Sequence, residues 1–557
     1  MKPSTRTAAF MMMAAALAAC GDGGGGGTAE KGKTDQQDEA EIPEAQRFGG
    51  TAVVATIGDM PDMNPLTSTD HTTNQVQQFV LFAPLLTYNE KLEPVPVLAR
   101  SWEVNADTTE LTFRLRDDVY WHDGPRTTAY DVKFSYDRAK DTETGFPNTA
   151  FWTHYGEATV VDSFTIRFRM EPHADFLDPW RSFAPVPRHV LQDVPPAGLR
   201  NHPFGTRSPV GNGPFRFVSR AAGQSWTFAA NERWPRELGG RPYLDRIVYR
   251  VIPEPTTLLT ELLSGRIDYY IAPNPDQAER IEASPSARIL SFADRAFLII
   301  GWNERREMFR DARVRRALTM AIDRDAIIEG VRMGYGEKAN STIPPFFWNY
   351  DPQAGADLKH DPEGAKRLLA EAGWRDTNGD GVLDKDGRPF RFTLNTNTGN
   401  RERQDITEVV QAQLRTVGID VQVQPLEWGT LLAKINDVDR RDFDAVVIGW
   451  VTEFRIDDSD LLSCKKLQDP YQWVGYCDPR TEQLLDTLPK IVDRAAAKPL
   501  WAEYQRKVAA DQPYTFLYFT RRLEGVHERL RNVRPDARGD WVGAARWYIR
   551  PDARQGR

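Results

Sequence analysis

The sequence has few of the residue patterns that mark a catalytic or metal-binding protein. Its 557 residues include 8 histidines and 3 cysteines. No two histidines are spaced i, i+4, and neither G-x-S-x-G nor H-E-x-x-H occurs. We therefore expect no enzyme. A secreted hydrolase, whose acids and histidines would meet only in the folded chain, is a remote alternative.

Long apolar runs and an excess of positive charge are also missing. After Ala19 no run approaches the roughly 20 apolar residues that a membrane-spanning helix needs. The net charge of −8 becomes −10 without residues 1–19, because only Lys2 and Arg6 are lost. This balance argues against a nucleic-acid partner, which would favour a basic patch. With 40% hydrophobic and 11% aromatic residues, we expect a soluble, packed body and a monomer.

The first twenty residues resemble a bacterial export signal. Lys2 and Arg6 give a basic start, and the apolar run Ala8–Ala19 is too short to span a bilayer but suits a signal-peptide core. The sequence LAAC that ends at Cys20 resembles a lipobox, in which the cysteine sulfur becomes lipid-modified. We predict a signal peptide over residues 1–19 and a lipid anchor at Cys20 as the membrane contact. An ordinary signal peptide with a chance cysteine is the alternative.

Residues 20–47 are predicted to form a flexible tether. They include five consecutive glycines, and the rest is rich in Asp, Glu, Gln and Lys, with few apolar side chains to build a core. An exported lipoprotein of this kind would be held at a membrane and face the periplasm or the cell exterior. The sequence leaves open whether the anchor is in the inner or the outer membrane.

The two remaining cysteines are Cys464 and Cys477. An exported chain meets oxidising conditions, so a disulfide between them is the simplest prediction. A loop of this size would stabilise the fold by about 3 kcal/mol in the chain-entropy model. Two free buried thiols are the alternative. A zinc site is disfavoured because no histidine or third cysteine is near in sequence.

The first half of the body is predicted to contain strands and an amphipathic helix. Alternating or apolar stretches predict strands at Thr51–Ile57, Leu111–Leu115, Thr165–Met170, Pro214–Ser219 and Asp245–Ile252. The segment WHDGPRTTAYDVKFSYDRA predicts a turn and then a helix with an inward side at Val132, Phe134 and Tyr136.

A second region begins near Ala296 with the apolar run FLIIGW. The segment DARVRRALTMAIDRDAIIEGV, which follows, is predicted to be one helix that ends at Gly330 or Gly334. Apolar residues recur in it at helical spacing, at Val314, Ala317, Leu318, Ala321 and Ile322.

Further on, strand and helix patterns alternate. The stretches FRFTLNTNT, IDVQVQPL and DAVVIGW predict strands, and DITEVVQAQLRTVG and EWGTLLAKI between them predict helices. This β-α-β-α-β series predicts a parallel sheet with right-handed crossovers and hence an α/β fold.

Ligands of open α/β sheets bind beyond the carboxyl ends of the strands. The two loops at that edge are residues 395–403 and 449–457. Together they offer cations, an anion and an aromatic wall, which suits a small zwitterion or a peptide. The candidate ligand-binding residues are Asn397, Arg401, Arg403, Trp450, Glu453 and Arg455.

The stretch DTNGDGVLDKDG resembles a calcium-binding EF-hand loop. Asp376, Asn378 and Asp380 fall at positions 1, 3 and 5, and Asp384 falls at position 9. The twelfth position, which needs a bidentate glutamate, is Gly387. Two interpretations of this stretch are left open: a loop that holds a structural calcium ion, and a polar turn that joins a helix to a strand. We expect no required cofactor.

Many motifs, in order along the chain, resemble one family. They include PVLARSWEV, LTFRLRDDVYWHDG, TTAYDVKFSYDRA, VGNGPFRF, RPYLDRIVYRVIPE, DARVRRALTMAIDR, GAKRLLAEAGW and DTNGDGVLDKDGRPFRFTL. By these motifs the sequence resembles the peptide- and nickel-binding family of bacterial ABC-transporter solute-binding proteins, from about Phe48 to the C-terminus.

The resemblance implies a two-lobed, hinged periplasmic-binding-protein fold of type II. The first lobe would comprise residues 48–295 and 512–557, with an extra subdomain at roughly 82–204, and the second lobe residues 296–511. Such a protein captures a small peptide between its lobes and delivers it to the permease subunits of an ABC importer.

The resemblance also implies residue roles. In peptide-binding members a carboxylate three residues after a Gly-Trp pair holds the terminal ammonium of the peptide. Glu453 stands at that position, where aspartate is common, so its longer side chain puts the usual register in question. A basic residue in the preceding loop, Arg401 or Arg403, would meet the ligand carboxylate. The segment SCKKLQDPYQWVGYC resembles the disulfide-closed loop of some dipeptide-binding relatives.

The ligand class stays open among several alternatives. With 15 tryptophans, an oligosaccharide or another non-peptide solute is the runner-up. A nickel chelate or haem would need a histidine or arginine cluster that the sequence does not reveal. A lipoprotein that senses a ligand without transport would use the same fold.

Overall fold

The computed structural model describes residues 42–554. The predicted signal peptide, the predicted lipid anchor at Cys20 and most of the predicted tether lie outside the described residues. Within residues 42–554 no helix has both the length and the apolar character needed to cross a membrane.

The largest sheet has eleven strands. Ten of them follow one another in the order Asp420–Leu426, Arg391–Asn397, Ala445–Val451, Ala287–Trp302, Tyr514–His527, Tyr269–Ile271, Thr51–Thr56, Arg246–Val251, Ser225–Ala230 and Phe215–Ala221. The eleventh, Gly336–Lys338, also pairs with Tyr514–His527. The sheet is therefore mixed, with two long antiparallel strands in its middle.

A separate four-stranded antiparallel sheet forms within the predicted extra subdomain. Its strands lie in the order Ala99–Val104, Glu110–Leu115, Thr165–Met170 and Tyr155–Asp162. Three two-stranded pairs complete the strands, namely Leu86–Tyr88 with Pro94–Pro96, Asp384–Lys385 with Arg388–Pro389, and Leu530–Arg531 with Tyr548–Ile549.

Helices cover the sheets and connect their strands. The α-helices of the described residues are His71–Val76, Ala129–Lys140, Asp178–Ser182, Arg188–Leu191, Pro255–Leu263, Pro275–Glu282, Ala312–Ala321, Arg324–Arg332, Pro362–Glu371, Arg401–Arg415, Trp428–Asn436, Ser459–Leu462, Pro479–Thr487 and Arg494–Asp511.

The predicted β-α-β-α-β series is confirmed. Strand Arg391–Asn397 runs parallel to both Asp420–Leu426 and Ala445–Val451, with helices Arg401–Arg415 and Trp428–Asn436 as the connections. Because the three strands are parallel, their carboxyl ends lie at one edge of the sheet.

The prediction of one continuous helix after residue 311 is wrong. Two helices form, Ala312–Ala321 and Arg324–Arg332. Ile322 is extended, and the Asp323 carboxylate accepts a hydrogen bond from the backbone N–H of Ala326 at 2.9 Å. Aspartate is a strong N-cap, so it begins a new helix within a pattern whose apolar spacing continues.

The hydrophobic cores divide along the two long strands. Their ladder pairs Ala293 with Arg521 and resumes only at Phe297 with Phe519. One core includes Val54, Phe113, Trp226, Val526 and Trp547, and we call the part of the chain around it the first lobe. Two further cores include Ile299, Leu394, Val410, Phe516 and Leu517, and the part around them is the second lobe.

The predicted disulfide between Cys464 and Cys477 is confirmed, with their Cα atoms 4.7 Å apart. It closes a loop that carries Tyr471 and Trp473. Trp473 is almost completely buried, and Tyr471 is 46% exposed.

The last residues of the predicted tether contact the first lobe. Glu44 accepts a hydrogen bond from the Tyr243 hydroxyl at 3.0 Å. The Arg47 guanidinium lies 5.6 Å from the centre of the Tyr548 ring, and Arg554 donates to the carbonyl of Gln46. Residues 44–47 thus belong to the packed body.

Candidate ligand cleft

A cavity of about 530 Å³ lies between the two lobes. The first lobe lines it with parts of residues 71–78, 147–151 and 178–182, and the second lobe with residues 450–460. Arg295 and Arg538 complete the lining. This volume falls within the range of small-molecule sites, which is roughly 300–1,000 Å³.

The loop after strand Ala445–Val451 is fixed at the cavity by hydrogen bonds to distant segments. The backbone N–H of Thr452 donates to the carbonyl of Arg295 at 3.0 Å, and the Thr452 hydroxyl donates to the carbonyl of Thr342. The residues that follow therefore enter the cleft with a defined backbone position.

Glu453 lies in the cleft and already has a cationic partner. Its Oε2 atom is 3.3 Å from Nη1 of Arg295, and its side chain is 69% exposed. The same Arg295 Nη1 donates to the carbonyl of Thr452 at 2.8 Å. The two side chains are separated by 158 positions in the chain, so no local pattern links them.

Two guanidinium groups lie over the ring of Phe454. Arg181 is 4.1 Å and Arg295 is 4.4 Å from the centre of its ring. The ring also contacts Tyr88, with the ring centres 5.6 Å apart, and Arg181 pairs with Asp178 at 2.9 Å. A side chain of the second lobe is therefore enclosed by residues of the first lobe and of the long strand that joins the two.

Trp450 is half-buried and forms part of the cavity wall. Its ring lies 5.7 Å from that of Tyr471 and 5.5 Å from that of Trp473, both edge to face. The disulfide-closed loop therefore supports the wall from behind.

Arg455 lines the main cavity and also a smaller one beside it. The smaller cavity includes Asp175 of the first lobe and Arg494 of the second, whose charged groups are 2.9 Å apart. A second contact between the lobes accompanies this pair, because the backbone N–H of Ala174 donates to the carbonyl of Pro489 at 2.7 Å.

Asp458 lies in the floor of the cleft and is buried. Its carboxylate accepts hydrogen bonds from the hydroxyls of Thr342, at 2.5 Å, and Tyr504, at 2.7 Å. Burial raises the pKa of Asp458 to about 6, and the two hydroxyls lower it only in part.

The other predicted loop, residues 395–403, consists of the end of strand Arg391–Asn397, a short turn and the start of helix Arg401–Arg415, and it does not line the cavity. Arg401 points away, with 94% of its side chain exposed and Asp405 3.6 Å from it. Arg403 donates to the Asn397 side chain at 3.0 Å and lies 5.6 Å from the Trp428 ring centre. Asn397 and Arg403 thus contact each other at the sheet edge, while Trp450, Glu453 and Arg455 meet at the cleft.

Comparison with known proteins decides the family. The sequence model described as "Bacterial extracellular solute-binding proteins, family 5 Middle" matches residues 93–468. The chain belongs to this family. This solute-binding protein is also 33% identical over 507 residues to the "Oligopeptide-binding protein AppA" of Bacillus subtilis, with 90% of this chain and 92% of that protein covered.

Solved structures agree on the fold. The AppA structure from Bacillus subtilis, in complex with a nonapeptide, has a TM-score of 0.72 and covers 90% of this chain and 99% of its own. NikA from Brucella suis, in complex with Fe(III)-EDTA, has a TM-score of 0.77 at 21% identity, over 90% of this chain and 99% of that chain. The two-lobed α/β binding-protein fold is therefore confirmed.

The EF-hand-like loop of this solute-binding protein forms a polar turn. Asp376 accepts from the backbone N–H groups of Gly379, at 2.7 Å, and Gly381, at 3.0 Å. Asp384 instead faces Thr377, which donates from its N–H and its hydroxyl. No group of three or more acidic, histidine or cysteine side chains fit to hold a metal occurs within residues 42–554. The calcium hypothesis for Asp376, Asn378, Asp380 and Asp384 is therefore unsupported.

Sequence reasoning missed most of the first-lobe side of the cleft. The missed residues with charged or titratable side chains are His71, Asp178, Arg181, Arg295 and Arg538. They come from short helices, a long strand and a late loop, with no shared spacing. Strand topology and the family resemblance both pointed to loops of the second lobe, and no local pattern marks the first-lobe residues.

Proposed function

We propose that this protein captures a small peptide between its lobes and delivers it to the permease subunits of an ABC importer. The observation that carries the proposal is the cavity lined by both lobes, with cationic, anionic and aromatic side chains together. The similarity over 90% of the chain to an oligopeptide-binding protein supports a peptide as the solute. The family is one of solute binding, so no chemical conversion is part of the proposal.

The proposal assigns ligand contact to Trp450, Glu453 and Arg455. All three line the cavity, whereas Arg401 and Arg403 do not. Arg181 and Arg538 from the first lobe join them. A peptide offers backbone donors and acceptors along its length, and a cleft with charges of both signs can pair with them and with its termini.

Opening and closing of the cleft would bend the two long strands. Their ladder is interrupted between Ala293 and Phe297, so fewer hydrogen bonds resist bending there. We place the second crossing near Thr520, because Phe519 packs in a second-lobe core. This changes the sequence-based boundary at Gln512. Domain closure of this kind buries a ligand and presents a new surface to a partner.

Export and lipid attachment complete the proposal. A signal peptide over residues 1–19 and an anchor at Cys20 would hold the receptor at a membrane, and the protein would act as a monomer. Mass spectrometry of the mature protein tests the anchor, since diacylation at Cys20 adds a defined mass that a Cys20→Ala variant lacks.

Small-molecule mass spectrometry of the purified protein tests the ligand. We expect denaturation to release a mixture of short peptides. Trp450→Ala should lower the released amount several-fold, whereas Trp428→Ala, at an exposed tryptophan outside the cavity, should not. Release of sugars or of a metal chelate instead of peptides would contradict the proposal.

A further inference from the structure

The Arg295–Glu453 pair bears on which peptides the cleft accepts, and the inference rests on the proposed function. We infer that Arg295 is a specificity-determining residue: by neutralising Glu453 it removes the preference for a ligand with a free, charged amino terminus. The cleft then takes peptides with blocked and free amino termini about equally well.

The first step of the argument is that Arg295 is held in place. Its carbonyl accepts from the N–H of Thr452 at 3.0 Å, and its Nη1 donates to the carbonyl of Thr452 at 2.8 Å. Its guanidinium also stacks on Phe454 at 4.4 Å, and only 15% of its side chain is exposed. The backbone of Arg295 is thus fixed by one contact and its guanidinium by two, so the cation does not swing away when a ligand enters.

The second step is that the other nearby carboxylates have partners of their own. Asp178 pairs with Arg181 at 2.9 Å. The Asp294 carboxylate accepts from the backbone N–H of Arg295 at 2.7 Å and from the Thr520 hydroxyl at 3.3 Å. Among the described residues, the ion pair formed by Arg295 is the one with Glu453. The positive charge of Arg295 is therefore directed at the carboxylate that would otherwise face the ligand.

The third step concerns the ligand. An ammonium group that approached the exposed oxygen of Glu453 would lie within a few ångströms of the Arg295 guanidinium. The guanidinium is about twice as far from the ammonium as the carboxylate is, so its repulsion offsets about half of the attraction and leaves a small net preference. Without Arg295 the attraction alone would favour a free amine by about tenfold in affinity.

The experiment compares two peptide pools on the full mature protein. Tetrapeptide and nonapeptide pools of mixed sequence are made with free and with acetylated amino termini, and calorimetry gives the affinity ratio of free to acetylated pools. We expect a ratio within about threefold of one for the wild type, and about ten or more for Arg295→Gln. Glu453→Gln should lower the ratio several-fold below one, because the guanidinium is then unopposed.

Two controls separate charge from structure. Arg295→Lys keeps the charge and should keep the ratio near one. Arg403→Gln removes a guanidinium that stacks on Trp428 outside the cavity and leaves Glu453 paired, so it should also keep the ratio near one. A change of the ratio in Arg403→Gln equal to that in Arg295→Gln would indicate a general effect of losing a guanidinium and overturn the inference.

The outcomes distinguish this inference from the proposed function. If peptides bind the wild type but a free amine is preferred more than tenfold, the inference fails and the proposed function stands. An unchanged ratio in Arg295→Gln would overturn the inference in the same way. Should Arg295→Gln fail to fold, the ratio in Glu453→Gln decides: a value at or above that of the wild type rejects the inference. If neither pool binds, the proposed function fails, and the inference fails with it.

Discussion

Two loops follow neighbouring parallel strands of one sheet, yet they lie in different surroundings. The loop after Asn397 leads directly into helix Arg401–Arg415, and the polar groups there pair locally: Arg403 with Asn397, and Arg401 with Asp405. The loop after Val451 is held by Arg295 and Thr342, and its side chains face the cleft. Strand order thus locates the edge where a ligand binds, but contacts from distant segments decide which loop reaches it.

The largest difference between the two loops is expected at Phe454. Phe454→Ala removes a ring enclosed by Tyr88 and two guanidinium groups. Such truncation of a buried phenylalanine costs about 3–5 kcal/mol in the free energy of unfolding. Urea unfolding measures this loss. The matched substitution beside the other loop, Arg401→Ala at an exposed position, should change the free energy of unfolding by no more than about 0.5 kcal/mol. Equal losses of stability in the two variants would contradict the comparison.

Removal of the disulfide tests the support behind the second loop. Cys477→Ser should lower the free energy of unfolding by about 3 kcal/mol, because the closed loop is released in the unfolded chain. Tyr471 and Trp473 also lose their fixed position against Trp450, so ligand affinity should fall as well. Thermal unfolding with and without reductant measures the first effect. If reductant frees both thiols of the wild type but leaves its melting temperature unchanged, the predicted stabilisation by the disulfide is refuted.

Asp458 gives the stability of the second loop a pH dependence. Its pKa rises from the ordinary 3.8 to about 6 on folding, so the folded state binds a proton more tightly between these values. Stability should therefore fall as pH rises from about 4 to about 6, by about 2–3 kcal/mol. Asp458→Asn should remove this fall. Urea unfolding at pH 4, 5, 6 and 7 checks it, and an identical pH slope in both proteins would exclude Asp458 as the source.

A smaller effect on stability is expected at Arg403, beside the first loop. Arg403→Gln removes a charged hydrogen bond to Asn397 and the stacking on Trp428, which should cost about 1–2 kcal/mol of stability. Peptide affinity should stay unchanged, because Arg403 does not line the cavity. Calorimetry with the peptide pools measures this. A tenfold loss of affinity in a folded variant would instead place Arg403 at the ligand.

The fold was largely predictable because its elements carry local patterns. The stretches before Asn397 and Val451 are apolar or alternating, and they form the predicted parallel strands. The break at Ile322 was not predicted, because the apolar spacing continues through it and only the capping by Asp323 interrupts the helix.

The site was predictable only on one side. Trp450 lies near the end of strand Ala445–Val451 and Glu453 and Arg455 follow it, so topology alone places them at the edge where open α/β sheets bind ligands. Arg295, which determines the charge around Glu453, is 158 residues away from it in sequence, and Arg181 approaches Phe454 from a five-residue helix. Such pairings depend on the packing of the two lobes, which no local pattern records.

The contacts of residues 44–47 have a consequence for the design of sensors. Glu44 binds Tyr243 and Gln46 binds Arg554, so the first and last described stretches lie side by side on the first lobe. Fluorophores attached at these two places would keep a constant separation while the cleft opens and closes. A reporter of closure needs its second dye on the other lobe, and the exposed Arg401, without a place in the cleft, is a suitable position for it.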